Sequence, residues 1–243
     1  MIHKVSKTHA PIRVSFSGID GAGKSTQIEL LCARLSALGA RVRVITFWDN
    51  VAVLTRFREV AGHALFKGEK GVGAPDRPVN RRDKNVRSWH MTGLRLGLYF
   101  LEAIKLRLVA TRTRDADVVI FDRYLYDQLA NLPLQQFVTR MYARLLLKLV
   151  PKPDIAYLID ADPERARERK PEYPIEFLSM IRAAYLRLSQ IEDMTVIAPG
   201  AVEDVAEVVM QKFLRKFPGA LSPILDAEAS GTGHSFASAE SRQ

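Results

Sequence analysis

Nine consecutive residues near the amino terminus, Gly18-Ile19-Asp20-Gly21-Ala22-Gly23-Lys24-Ser25-Thr26, set glycines, a lysine and two hydroxyls at spacings suited to holding phosphate. The run fits G-x-x-x-x-G-K-[ST]. Glycines let the backbone curl until several N–H groups face inward as an anion nest. A helix starting at Lys24 would aim its positive end at the same spot. Lys24 supplies a cation for the outer phosphates of a nucleotide, and the Ser25 hydroxyl can hold Mg²⁺. The expected cofactors are therefore ATP and Mg²⁺, bound at Gly18–Thr26. Other residues able to do chemistry stand just after β-like runs: Asp49, Asp122 with Arg123 and Tyr124, and Asp160 with Asp162.

Positioning these groups requires an alternation of strands and helices. Ile12–Ser17 is apolar and β-branched, preceded by Pro11 and followed by glycines, and reads as a buried strand. From Lys24 the spacing turns helical, with Ile28, Leu31, Leu35 and Leu38 on one side and Gly39 at the end. Val42–Thr46, Val118–Phe121, Ile155–Ile159 and Met194–Ile197 read as further strands. Val51–Leu65, Trp89–Thr111, Leu134–Leu149, Pro163–Arg169, Ile175–Ser189 and Val202–Phe217 read as helices. This order predicts an α/β three-layer sandwich, a mostly parallel five-stranded sheet with helices on both faces. Ligands in such sheets bind beyond the carboxyl ends of the strands. Residues 1–10 form an N-terminal extension and residues 11–220 one domain. Within it, 67–88 is expected to be a flexible basic loop broken by Gly68, Gly71, Gly73, Pro75 and Pro78, and 165–174 a lid. Residues 221–243, rich in Ala, Ser, Gly and Glu, are expected to form a disordered tail.

The 243 residues suit a single core, with 47% hydrophobic and 26% charged residues as in ordinary globular chains. The net charge of +9 suits anionic partners without choosing among them. Cys32 is the only cysteine, so no disulfide or cysteine-cluster zinc site can form within one chain. A reducing, cytoplasmic setting is the simplest fit. The first residues carry no apolar h-region, and no apolar run approaches the roughly 18 residues of a membrane span. No membrane partner is expected.

With FSGIDGAGKSTQ at Phe16–Gln27, VVIFDRY at Val118–Tyr124 and PDIAYLIDADPERARER at Pro153–Arg169, the sequence resembles thymidylate kinases, within the P-loop nucleoside-monophosphate kinase group. Tyr185 sits in a context similar to the family's, and the likeness runs over most of Ile12–Leu188. The resemblance implies a P-loop kinase-type fold and ATP-dependent phosphorylation of dTMP to dTDP by in-line transfer. It implies that Lys24, Asp122, Arg167 and Arg169 are catalytic and that Ser25 and Asp122 serve the metal. It further implies that Arg123 binds the acceptor's phosphate and that Asp20 meets its sugar hydroxyl. The lid carries Arg165, Arg167, Arg169 and Lys170, and the phosphate loop has no arginine of its own. Arginines in the lid would then reach the transferring group. A homodimer is also implied, Leu134–Leu149 having apolar surface to spare.

The chain departs from the family pattern twice. Arg-Glu-Pro-Gly-Gly is usual after the second strand, whereas this chain has Thr46-Phe-Trp-Asp-Asn50. The base-reading helix usually bears an arginine roughly twenty residues before Asp-Arg-Tyr, whereas this stretch is Gly97-Leu-Tyr-Phe-Leu-Glu102. Tyr99 is the candidate to stack on a base, with Tyr124 and Asp49 as further acceptor contacts. Two other functions stay open at this point. A P-loop kinase of a nucleoside or other hydroxyl acceptor needs a general base, and Asp49 is placed to be one. A nucleotide-dependent nucleic-acid-binding or regulatory protein could use Lys67, Lys70, Arg77, Arg81, Arg82, Lys84 and Arg87, although such a run is more often a solvated loop.

Overall fold

The computed structural model describes residues 10–52, 89–113 and 115–218. Residues 1–9 of the N-terminal extension, the basic loop, nearly all of the helix expected at Val51–Leu65, and the whole tail expected at 221–243 lie outside the described residues. The strands are β1 (Ile12–Ser17), β2 (Val42–Thr46), β3 (Val118–Asp122), β4 (Ile155–Ile159) and β5 (Thr195–Ile197). The helices are α1 (Lys24–Ala37), α2 (Trp89–Thr111), α3 (Leu125–Leu129), α4 (Phe137–Leu149), α5 (Pro163–Arg169), α6 (Ile175–Glu192) and α7 (Val202–Lys216).

The five strands lie in the order β2-β3-β1-β4-β5, and every pairing is parallel. β3 (VVIF, then Asp122) and β4 (IAYLI) are near-continuous apolar runs because both faces of a parallel sheet are covered. β2 is an edge strand and shows Arg43 and Val44 to solvent. The helix pairs α1–α7 and α2–α4 pack over the sheet, and the core runs from Val14 and Phe16 through Ile120, Tyr157 and Phe213.

This order positions the site. After β1 the chain crosses to one side of the sheet, to β2 and β3, and then returns past β1 to β4 on the other side. The carboxyl end of β1 is therefore a topological switch point, where such sheets bind ligands. Its loop is Gly18–Gly23. The register sets Phe16 of β1 beside Asp122 of β3, and Asp122 beside Thr46 of β2.

Four local features differ from the expected elements. A five-residue π-helical turn, Phe47–Val51, follows β2 directly. It is closed by a 2.7 Å bond from the Ala52 N–H to the Phe47 carbonyl, and Asn50 Oδ1 accepts from the Thr46 N–H at 3.0 Å. The short helix α3 follows β3. α4 starts at Phe137 rather than Leu134, because Pro133 to Gln136 close a turn of their own, with Gln136 N–H donating to the Pro133 carbonyl at 3.0 Å. α6 continues to Glu192, where Asp193 at φ 54° takes the left-handed conformation that ends it.

Candidate active site

The phosphate loop bends through Gly18, Gly21 and Gly23, all at positive φ, and Gly23 caps α1. At Gly21 glycine is required twice over. Its φ is 83°, and an added Cβ would lie 2.1 Å from the Ala166 carbonyl oxygen of α5. Helix α5 thus rests directly on the loop, with Ala166 fully buried. Asp162 caps α5 by accepting from the N–H groups of Glu164 and Arg165 at 3.1 and 3.2 Å, and Pro163 opens it.

Two cations meet the carbonyls of this loop. The Lys24 ammonium donates to Gly18 and Ile19 carbonyls, each at 2.9 Å. Burial, then the neighbouring Arg123, pull its pKa from the usual 10.5 to about 8, against the opposing pull of Asp20, Asp127 and Asp122. Arg169, at the end of α5, donates from Nη1 to the Gly21 carbonyl at 3.2 Å. Arg165 is exposed and Arg167 half-buried on the same helix. Ile19 and Ala22 are buried, while Ser25 and Thr26 are open to solvent on the first turn of α1.

Asp122 ends β3 and is half-buried; burial raises its pKa, and Arg123 and Lys24 hold it back. Arg123 has φ 68°, a left-handed conformation that costs a non-glycine residue of order 1–3 kcal/mol and persists only where the surroundings impose it. Its N–H donates to the Phe16 carbonyl at 3.0 Å, anchoring the turn to β1. Its guanidinium is ion-paired to Asp20 of the phosphate loop and, at 3.4 Å, to Asp127 of α3. Asp20 and Asp127 keep the Arg123 pKa raised despite burial.

Two residues expected to touch the acceptor are placed elsewhere. Tyr124 is fully buried, its ring against Phe121 and Tyr126 and its hydroxyl donating to the Pro151 carbonyl. The left-handed turn at Arg123 sends the next side chain into the core, so Tyr124 is a packing residue. Tyr99 is 3% exposed and belongs to the hydrophobic core rather than to an open stacking surface. Asp49 is exposed on the π-helical turn at the end of β2.

Other residues come to the site that were not singled out in the sequence. Asp127 accepts from the Ser17 hydroxyl at 2.7 Å, the Tyr185 hydroxyl at 2.7 Å and the Tyr124 N–H at 3.1 Å. Arg182 of α6 makes a bidentate pair with Asp160, two bonds of 2.7 Å, at the foot of the lid helix. The only sequence signal for Asp127 is an acidic residue at the third position of a short helix, the reciprocal place of a capping box.

A thymidylate kinase of Bifidobacterium longum is 31% identical over 193 residues, covering 74% of this chain and 84% of that protein. The chain belongs to the thymidylate kinase family. A thymidylate kinase of Pelodictyon phaeoclathratiforme is 25% identical over 240 residues, covering 87% of this chain and 99% of that protein. The crystal structure of thymidylate kinase from Ehrlichia chaffeensis superposes with a TM-score of 0.52 at 20% identity, over 84% of this chain and 99% of that one, and supports the fold. No protein-family model matches the chain. Among the described residues of this family member, no helix is long and apolar enough to cross a membrane.

Proposed function

We propose that the protein transfers the terminal phosphoryl group of ATP to dTMP, giving ADP and dTDP. The observation that carries this reading is the convergence of Lys24 and Arg169 on the carbonyls of one phosphate loop, with Arg123 joined to that loop through Asp20. When ATP binds, its β- and γ-phosphates take the Lys24 ammonium from the Gly18 and Ile19 carbonyls, and the loop N–H groups with the α1 dipole hold the anion. The Arg123 fork suits a phosphate monoester, which displaces Asp20 from it and leaves Asp20 free for the sugar hydroxyl. Arg169 lies where a guanidinium can offset charge on the transferring group. α5, seated on Gly21, excludes water that would otherwise hydrolyse ATP.

The donors Ser25 and Asp122 are a hydroxyl and a carboxylate, the oxygen set that Mg²⁺ takes alongside phosphate oxygens and water. When bound there, Mg²⁺ would neutralise phosphate charge and hold the phosphates in line. A monophosphate acceptor attacks through an oxygen already ionised near neutral pH, so Asp49 has no proton to remove. We place the reaction in the cytoplasm. The assembly is a homodimer through the apolar faces of α2 and α4, where Leu101, Ile104, Leu108, Val138, Met141 and Leu145 are exposed at helical spacing.

The test is a coupled ATP-to-ADP assay with dTMP, the other nucleoside monophosphates and the free nucleosides. A clear preference for dTMP, with Asp49→Ala keeping at least half the activity, supports the reading. Transfer to nucleosides alone, abolished in Asp49→Ala, replaces it with a hydroxyl kinase.

A further inference from the structure

The acceptor arginine proposed above is held by two carboxylates of different character. Asp20 sits on the phosphate loop, with 13% of its side chain exposed, where an incoming anion can compete with it. Asp127 is 5% exposed and is itself fixed by three further donors. These come from three separate parts of the fold: the Ser17 hydroxyl at the end of β1, the Tyr185 hydroxyl on α6, and the Tyr124 N–H at the start of α3. Ser17 lies 110 residues and Tyr185 58 residues away in sequence, so the contact exists only in the assembled fold. Arg123 stands above this hub on a left-handed backbone that the hub helps to impose.

We infer that Asp127 is the positioning residue that aims the Arg123 guanidinium at the acceptor's phosphate. This rests on the reading of Arg123 as the acceptor-phosphate ligand. A guanidinium fork binds phosphate through paired N–H groups and is selective only when its plane is set in advance. Asp20 cannot set it, because Asp20 must leave when the acceptor arrives. Asp127 can, since its Oδ1 faces Arg123 Nη1 at 3.4 Å while its Oδ2 is held by Ser17 and the Tyr124 N–H. The Tyr185 hydroxyl, also donating to Oδ1, keeps the carboxylate from rotating. On this inference Asp127 acts through Arg123 alone.

The experiment is a double-mutant cycle of Asp127→Asn with Arg123→Met, read as KM for the monophosphate, KM for ATP and kcat. The asparagine keeps one oxygen for the Ser17 hydroxyl and the Tyr124 N–H, sets its amide NH2 where the other oxygen met Tyr185 and Arg123, and removes the charge facing Arg123. The expected result is a tenfold or larger rise in acceptor KM with the ATP KM within twofold, and an effect below twofold once Arg123 is already Met. An equal rise in both KM values, or a tenfold effect that persists in the Arg123→Met background, overturns the inference and leaves Asp127 as a packing residue. Tyr185→Phe, which leaves the charge in place and loosens one anchor, should raise the acceptor KM in the same direction but less. No change in Tyr185→Phe counts against the hub. A second arm needs no turnover: guanidinium N–H resonances of Arg123 in the ligand-free protein, identified by their loss in Arg123→Met. Restricted rotation in the wild type that is lost in Asp127→Asn supports the inference, and identical signals in both overturn it. If the wild type phosphorylates no monophosphate, the reading of the reaction falls, and the resonance arm still decides the role of Asp127.

Discussion

Lys24 carries its charge in a buried place, and that has a measurable consequence in protons. Its pKa falls from 10.5 to about 8, chiefly through burial. The folded-state value lies below the unfolded one, so the charged form is the one the fold disfavours. The unfolded chain binds more protons between these two values, so this group's contribution to stability rises as pH climbs from about 8 toward 10.5. Below pH 8 the full penalty is present, of order 3 kcal/mol for the ligand-free protein. ATP reverses the balance, because phosphate beside the ammonium favours the charged form. With a pKa of about 8, about three-quarters of Lys24 is neutral at pH 8.5, so ATP binding should take up ~0.7 proton there and only ~0.1 at pH 7. Titration calorimetry in two buffers of different ionisation enthalpy reads this uptake directly. Lys24→Arg, whose guanidinium keeps its proton throughout, should abolish the pH-dependent part. Equal uptake at both pH values, or an uptake that survives in Lys24→Arg, would mean that Lys24 is not the group that gains the proton when ATP binds.

The other predictions concern the lid and its footing. Gly21→Ala drives a methyl against the Ala166 carbonyl at 2.1 Å, so α5 must lift off the loop, and kcat should drop by about 10²-fold. Gly97→Ala is the contrasting change: its Cβ meets nothing within 4 Å on α2, and chemical denaturation should show a gain of about 0.5–1 kcal/mol. Arg169→Ala should lower kcat by about 10³-fold, whereas Arg165→Ala, on the exposed face of the same helix, should change it less than about threefold. Arg182→Met breaks a bidentate pair that is 36% exposed on the arginine side, so its stability cost should be only about 1 kcal/mol by thermal melting, with a larger effect on kcat through the loosened foot of α5.

The sheet was legible because its central strands are buried on both faces and therefore spell unbroken apolar runs: Val118–Phe121 and Ile155–Ile159 leave little choice. The phosphate loop was legible for a different reason, since its chemistry is carried by backbone and glycine and so is local in sequence. Elements that depend on a single turn were harder. Nothing in Phe47–Val51 announces a π-helical turn, and Pro133 delayed α4 through a turn that periodicity does not register. Side-chain direction was the main gap. Tyr124 follows a residue held at φ 68°, which sends its ring inward, and Tyr99 lies on the core side of a helix whose Phe100 and Leu101 are exposed. Asp127 was not legible because its meaning lies in partners brought together from β1 and α6 by the fold. Arg182 likewise becomes significant only when α6 is laid across the end of β4.

If a phosphoryl group passes from ATP to dTMP on this phosphate loop, donor and acceptor must change together. Phosphorus NMR of a mixture of the protein, ATP, Mg²⁺ and dTMP follows both partners in one spectrum. The γ-phosphorus of ATP and the single phosphorus of dTMP should disappear together, while the two coupled resonances of dTDP and those of ADP grow in equal amounts, and none of this should occur with Lys24→Met. Release of inorganic phosphate with dTMP unchanged, or no change at all in a folded protein, would contradict that transfer.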